Sequence, residues 1–215
     1  MSVRVLMAVP NADPVRDFAG ALEEDESFEL AGVTADVNDG WRLIDHGAAD
    51  LVLADLSLDS GAGGLLVQRV LTECPGLPVV VVSCPCEEPC VEGLIRVGVS
   101  AVVSRHSERP VLFEALRAAL EGSTFVDPML PKTLGWDPDN PECVVESLNG
   151  RELAVCRFLA MGYTEQETVA RLFMPAWIIR KAGVRGMFKL GVASHEELES
   201  LAGCLEKMWW SRRAS

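Results

Sequence analysis

The sequence contains few of the side chains that most often carry catalysis or bind metals. It has three histidines, His46, His106 and His195, which are too scattered to suggest a shared site. Its seven cysteines, an odd number at irregular positions, indicate free thiols in a reducing compartment rather than a disulfide framework. Without a histidine base or a recognisable metal site to activate a nucleophile, we expect a protein that is not an enzyme and needs no cofactor.

Long apolar runs are also missing. No stretch approaches the length that a bilayer requires, and no segment near the start combines a basic region, an apolar run and a cleavage site. We therefore expect a soluble, cytoplasmic protein with no membrane partner.

Lysine is scarce, and the charges are unevenly distributed. Only four of the 19 basic residues are lysines, a composition that indicates a GC-rich genome. Residues 1–130 carry 8 basic against 21 acidic residues, whereas residues 148–215 carry 10 against 7, within a net charge of −13. The acidic part disfavours nucleic acid and the basic part could approach phosphates. This asymmetry is expected of a sensor joined to a DNA reader.

Residues 1–126 alternate apolar, strand-like runs with amphipathic segments, which is the pattern of parallel βα units. Strands are predicted at 3–9, 30–34, 51–56, 78–83 and 101–104, and helices at 13–23, 41–46, 65–73, 91–97 and 110–121. Because the strands are continuously apolar, both faces of the sheet should be covered. The prediction is an α/β domain with a doubly wound, five-stranded parallel sheet of the flavodoxin-like type, which binds ligands at the carboxyl ends of its strands.

Residues 127–147 contain four prolines and little periodicity, so we predict a linker there. Residues 148–215 then predict an all-α domain of four helices, at 148–161, 164–173, 175–190 and 195–210. Thr164 and Glu167 have the spacing of a capping box, and Pro175 suits the first turn of a helix. Three short helices with a tight turn before a basic third one predict a helix-turn-helix that reads DNA.

Together, these features resemble the NarL/FixJ family of bacterial response regulators, in which a receiver domain precedes a LuxR-type helix-turn-helix. In the receiver, the resemblance rests on LVLADLSLD around Asp55, VVVVS ending at Ser83, GVSAVVSR and EGSTFVDP. In the second domain it rests on LNGRELAVCRFLAMGYTEQETVARLF and KLGV. It covers nearly the whole chain, and it implies a two-component regulator that controls transcription.

The resemblance also assigns the positions of the receiver's phosphorylation pocket. A family receiver uses two acidic residues and an acceptor aspartate to hold Mg²⁺, together with a hydroxyl residue and a lysine. The acidic pair falls on Val9 and Pro10, the acceptor on Asp55, the hydroxyl on Ser83 and the lysine on Arg105. Because neither Val9 nor Pro10 has a side-chain oxygen, the resemblance implies little or no phosphorylation of Asp55.

Several alternatives for this altered pocket stay open. Arg105 could grip Asp55 through its planar guanidinium, or Asp55 could be an idle remnant. Asp13 is a candidate for a displaced metal ligand, and the pocket could instead bind a small molecule or belong to a fixed dimer. Cys84, Cys86 and Cys90, on the loop after the fourth strand, could bind a soft metal, sense redox state or be plain structural thiols.

In the second domain, the resemblance assigns a DNA-facing surface to the third helix. Its groove-facing positions are Ala176, Trp177, Ile178, Arg180, Lys181 and Arg185, and Thr164 is a further DNA-binding candidate. Trp177 and Ile178 could touch thymine methyl groups or pack on the second helix. The basic residues could form a solvated face, although phosphate contact is expected within this motif. Gly183 and Gly186, where the family usually buries Val and Ile, predict a less rigid helix.

Leu198, Leu201 and Leu205 share one face of the last predicted helix, which pairs two readers in the family. Packing of that face onto its own domain is the alternative. We predict a regulator that binds palindromic double-stranded DNA as a dimer with itself or with a related family member, and that contacts RNA polymerase if it activates. A module that sequesters a related regulator, or a regulator that responds to a small ligand, is the alternative. In its Arg-rich composition and altered pocket, the chain also resembles orphan developmental regulators of filamentous actinobacteria, of the WhiI sporulation type.

Overall fold

The computed structural model describes residues 2–11, 14–58, 62–83, 91–130, 145 and 147–214, without the side chains of residues 14, 16 and 214. The chain divides into a first unit, residues 1–91 and 98–131, and a second unit, residues 92–97 and 132–215. Most of the predicted linker, residues 131–144 and 146, lies outside the described residues. Asp127 and Leu130 are buried in the first unit, which therefore extends past the end predicted at residue 126.

A parallel sheet forms the centre of the first unit. Within the described residues it has six strands: β1 (Val3–Ala8), β2 (Phe28–Thr34), β3 (Leu51–Asp55), β4 (Val79–Ser83), β5 (Ala101–Ser104) and β6 (Phe125–Val126). Their order is β2-β1-β3-β4-β5-β6, which confirms the predicted flavodoxin-like sheet. The predicted number of five strands is wrong, because β6 pairs with β5 over only two residues and is too short to form a visible apolar run.

Helices cover both faces of this sheet, as its continuously apolar strands require. They are α1 (Phe18–Glu24), α2 (Val37–Asp45), α3 (Gly63–Glu73) and α5 (Arg109–Leu120). Helix α4 (Val91–Arg96) lies between β4 and β5 in the sequence, and its residues 92–96 belong to the second unit. Phe18 and Leu22 of α1 and Leu112 and Leu116 of α5 are buried in one apolar core with alternate residues of the central strands. Two helices begin differently from the prediction: a 3₁₀ turn, Pro14–Asp17, precedes α1, and Asp36 caps α2 well before residue 41.

Helices alone make up the described part of the second unit. Besides residues 92–96 of α4, they are α6 (Gly150–Ala160), α7 (Glu165–Leu172), α8 (Ala176–Leu190), α9 (His195–Ser200) and α10 (Ala202–Ala214). Capping boxes begin α6 at Asn149 and α7 at Thr164, and the second of these confirms the prediction. The predicted fourth helix is two helices, which meet at Leu201. No helix among the described residues is long and apolar enough to cross a membrane.

Candidate functional site

The first candidate site lies where the central strands end. β1, β3, β4 and β5 are neighbours and run parallel, so the residues at their carboxyl ends share one edge of the sheet. Val9, Asp55, Ser83 and Arg105 lie at or directly after these ends. The backbone N–H of Arg105 donates to the carbonyl of Ser83 at 2.8 Å, which joins the ends of β4 and β5.

Asp55 is fully buried, and its carboxylate is surrounded by donors of the same unit. Nη2 of Arg105 lies 3.0 Å from both carboxylate oxygens, and its Nε lies 3.2 Å from Oδ2. The same Nη2 donates to the hydroxyl of Ser57 at 2.7 Å, and the backbone N–H of Ser57 donates to Oδ1 of Asp55 at 2.6 Å. The guanidinium therefore holds Asp55, which is one of the two alternatives that the sequence left open.

The residues around Asp55 do not fit the Mg²⁺ ion of a family receiver. Val9 is fully buried in the apolar core and offers no side-chain oxygen, and neither does Pro10. The carboxylate oxygens of Asp55 already accept hydrogen bonds from a cation and an N–H group. Because Mg²⁺ requires oxygen ligands close to octahedral geometry, the donors that the described residues provide are too few for it.

Three further predicted features of this pocket have different outcomes. Ser83 is fully buried, and its hydroxyl has no hydrogen-bond partner among the described residues. Asp13, the candidate for a displaced metal ligand, lies outside the described residues, and so do Cys84, Cys86 and Cys90.

Asp127 has a structural role beside this pocket that was not predicted from the sequence. Its buried carboxylate accepts hydrogen bonds from the backbone N–H groups of Ser104 at 3.0 Å and Met129 at 2.8 Å, and from the hydroxyl of Ser107. It thereby ties the loop after β5, which carries Arg105, to the residues after β6. The only signal was the FVDP sequence, since nothing in the periodicity indicated a buried aspartate.

The second candidate site is the solvent-facing side of α8. Trp177, Arg180 and Lys181 are three and four residues apart, a spacing that places them on one face of a helix. Trp177 is 60% exposed, so most of its surface is open to solvent. Ala176 and Ile178 are half-buried at its edges. Nε of Arg180 lies 2.9 Å from both carboxylate oxygens of Glu165, at the start of α7.

Two predicted DNA-binding residues make contacts within their own unit. Arg185 is half-buried, and its Nε lies 3.9 Å from a carboxylate oxygen of Glu152. Thr164 is exposed, and its hydroxyl accepts the N–H of Glu167 to cap α7. The hydrogen bond from the backbone N–H of Thr164 holds the pKa of the Glu167 carboxyl below its ordinary value. Both residues therefore have structural contacts that the sequence assignment did not include.

A buried ion pair fixes α8 against α6, and sequence reasoning missed it. The ammonium of Lys189 lies 3.0 Å from a carboxylate oxygen of Glu152 and donates to the carbonyl of Ser147 at 3.2 Å. Glu152 is also the carboxylate of the capping box that begins at Asn149. The Asn-x-x-Glu spacing was the available signal for this role.

Gly183 and Gly186 lie at the same interface. A Cβ atom at Gly186 would lie 2.3 Å from the sulfur of Cys156, and one at Gly183 would lie 3.0 Å from a methyl carbon of Leu159. Burial of Cys156 raises the pKa of its thiol, and the nearby Glu152 charge raises it further. The two glycines therefore allow close approach of α6 and α8, a packing reason that the expectation of a less rigid helix did not consider.

The predicted dimer face needs a correction. Leu198 and Leu205 are fully buried in the core of the second unit, where they pack with Leu148, Leu153 and Met187, and Leu201 packs partly against this core. Side chains inside the core cannot also pair two copies. The alternative, packing onto their own domain, applies to Leu198 and Leu205.

An α/β receiver fold followed by a helix-turn-helix unit is the architecture of LuxR-type response regulators, and the chain resembles the NarL/FixJ type over nearly its whole length. No protein-family model matches the chain. It is 22% identical over 209 residues to the oxygen regulatory protein NreC of Staphylococcus carnosus, a match covering 93% of this chain and 96% of the relative. NreC of Staphylococcus aureus strain RF122 is 23% identical with the same coverage.

Solved structures support the same fold. RcsB from Salmonella enterica serovar Typhimurium, bound to promoter P1flhDC, has a TM-score of 0.56 at 20% identity and covers 95% of this chain and 100% of its own. A LuxR-family two-component response regulator from an Aurantimonas species has a TM-score of 0.51 at 19% identity, over 60% of this chain and 91% of its own. At these identities the likeness establishes the fold alone.

Proposed function

We propose that the protein is a DNA-binding transcriptional regulator in which a guanidinium–carboxylate pair replaces control by phosphorylation. The observation that carries this proposal is the contact of Arg105 with the fully buried Asp55. A planar guanidinium holds a carboxylate through two donors and never loses its charge, so it needs no metal ion.

The same contact opposes transfer of a phosphoryl group to Asp55. An attacking carboxylate oxygen must be accessible, and the charge on the incoming group must be neutralised by positioned cations. In this pocket, Arg105 and Ser57 cover the carboxylate, and Val9 and Pro10 provide no ligand for a divalent ion. The receiver is therefore proposed to keep one state, so that control depends on the amount of protein or on a partner.

DNA reading is proposed for the exposed side of α8. In helix-turn-helix proteins the second helix of the motif enters the major groove, and here α7 and α8 have that arrangement, with Arg180 exposed and Lys181 half-buried on α8. RcsB, which shares the fold, has been solved bound to DNA, including a structure of two RcsB dimers on two parallel DNAs. We extend both DNA binding and pairing to this chain.

A homodimer on a palindromic site is the proposed form. Two-fold pairing places half-sites about one DNA turn apart. Gly183 and Gly186 lie close to Leu159 and Cys156, so packing explains both glycines and they are no sign of a weakened reader that would require a related partner. The exposed Arg180 on α8 argues against the sequestering module.

Two measurements test the proposal. The full-length protein is incubated with acetyl phosphate and Mg²⁺ and weighed intact, with the Asp55→Asn variant as the control. We expect no added phosphoryl group, and a mass shift that is present in the wild type and absent in Asp55→Asn would contradict the proposal. Genomic DNA fragments retained by the untreated protein are then sequenced. We expect a palindrome, and retention of none would refute DNA reading.

A further inference from the structure

We propose that Trp177 is a specificity-determining residue that recognises the C5-methyl group of a pyrimidine in the major groove. This inference rests on the proposed DNA-binding function and goes further, because it names the chemical group that is read. Its starting observation is an indole that is 60% exposed on the second residue of α8.

The position of Trp177 on α8 favours contact with bases. The first residues of a helix-turn-helix reading helix are those that reach base edges, whereas later ones lie farther from the groove floor. Trp177 lies within the first turn of α8. Arg180 and Lys181, one turn further along on the same face, are placed to contact phosphates and to orient the helix.

Trp177 exposes a large apolar surface beside Arg180 and Lys181, and this exposure requires an explanation. The turn before α8 adds a second exposed aromatic residue, Phe173, whose side chain is 92% exposed. Phe173 is the one non-glycine residue with a positive φ, 53°, among those described. A left-handed backbone is uncommon for a bulky side chain. Both aromatic residues at this helix end are exposed, so their apolar surface is available to a partner. Arg180, which pairs with Glu165, and Lys181 lie beside Trp177, and their positive charges suit a polyanion.

The chemical groups of the major groove indicate which of them Trp177 contacts. Base edges there present hydrogen-bond donors and acceptors, apart from the C5-methyl group of thymine, which proteins read by apolar contact. The face of an indole is apolar, and Trp has a single N–H donor and no acceptor. A cytosine methylated at C5 presents the same group, so the shared chemistry is a C5-methyl pyrimidine.

The test uses one duplex recovered in the selection, synthesised in three forms: with thymine, with uracil in place of thymine, and with 5-methylcytosine in place of cytosine. Binding of the full-length protein is titrated by fluorescence anisotropy at fixed salt. For a thymine reader, we expect uracil to weaken binding about fourfold for each contacted methyl group. For a reader of methylated cytosine, the third duplex binds more tightly by a similar factor.

The Trp177→Ala variant should lose this methyl-dependent ratio, and Trp177→Phe should retain part of it. Trp210 on α10, whose side chain is also 60% exposed, provides the matched control, and Trp210→Ala should keep the wild-type ratio. Circular dichroism checks that each variant is folded. Equal affinities of the wild type for all three duplexes, or an unchanged ratio in Trp177→Ala, overturn the inference while leaving DNA binding intact. Failure to bind any duplex overturns both proposals.

Discussion

Arg105 and Asp55 show how one guanidinium can hold a buried carboxylate in a single state. A charged carboxylate removed from water carries a penalty of several kcal/mol, which a paired cation and additional hydrogen bonds must offset. Arg105 supplies the charge, and Ser57 supplies an N–H donor for the carboxylate and a hydroxyl acceptor for the guanidinium. The buried Asp55 is therefore dependent on Arg105.

We predict that Arg105→Ala destabilises the first unit by roughly 3–5 kcal/mol, because it leaves a buried carboxylate without its cation. Adding Asp55→Asn to this variant should recover part of the loss, since the neutral amide has no charge to compensate. The measurement is hydrogen exchange of β3 and β5 peptides in the full-length protein. This readout reports on the first unit alone, so a two-unit unfolding transition does not have to be interpreted.

Arg42→Ala is the matched control for this prediction. Arg42 pairs with Asp39 on α2, but their side chains are 71% and 52% exposed, and exposed pairs contribute little. Exchange in β3 and β5 should stay near that of the wild type. If Arg105→Ala behaves like Arg42→Ala, Asp55 does not depend on the guanidinium and the proposed lock is wrong.

At the scale of whole elements, the packing of α8 on α6 decides how the reading surface is held. Gly186 is the point of closest approach, since an added Cβ atom would overlap the sulfur of Cys156. Helix propensity favours alanine over glycine by about 1 kcal/mol, whereas overpacking a core costs about 1–3 kcal/mol. The steric cost should exceed the gain in helix propensity at Gly186.

We therefore predict that Gly186→Ala lowers the free energy of unfolding of the second unit, and that adding Cys156→Ala reverses the effect. With the sulfur gone, the nearest other atoms lie 3.7 Å from the added Cβ, at ordinary contact distance. Unfolding in urea is monitored by hydrogen exchange of α6 and α8 peptides, which report on the second unit. Gly203→Ala is the control: its Cβ would meet nothing within 4 Å on α10, so it should stabilise. Equal effects at both glycines would show that the close approach is unimportant.

The strands and helices differ in how far the sequence could predict them. Strands β3 and β4 are continuous apolar runs that each end in a polar residue, and the capping pair Thr164 and Glu167 marks the start of α7. These signals are local, so they could be read directly. β6 is too short to give such a signal, and it depends on pairing with β5.

The candidate site was less predictable, because its contacts join residues far apart in the chain. The positions of Asp55 and Arg105 followed from the family resemblance, but the choice between a locked and an idle aspartate required three-dimensional contact. Leu198 and Leu205 illustrate the same limit, since an apolar helical face does not reveal whether it meets its own core or a second copy. Glu152 was missed because its partner, Lys189, is 37 residues away.

At the scale of the molecule, the charges of the two units have opposite effects on DNA. The chain has a net charge of −13, yet residues 148–215 carry three more basic than acidic residues. At physiological ionic strength, fields are screened beyond about 8 Å. The acidic first part therefore opposes long-range attraction, and binding must depend on short-range contacts of α8. Arg180 is exposed and Lys181 is half-exposed on that helix, so these two residues should account for much of the salt dependence of binding.

We predict that the double variant Arg180→Ala/Lys181→Ala binds the selected palindrome more weakly and with a shallower salt dependence. Each lost phosphate contact lowers the slope of log K against log salt by about 0.9, so a dimer that loses four contacts should lose roughly 3 to 4. The measurement is affinity at several salt concentrations. The double variant Arg42→Ala/Arg69→Ala removes the same charge from the first unit and should keep the wild-type slope. If both variants reduce the slope equally, net charge rather than the surface of α8 determines binding, and the assignment of that surface as the DNA reader fails.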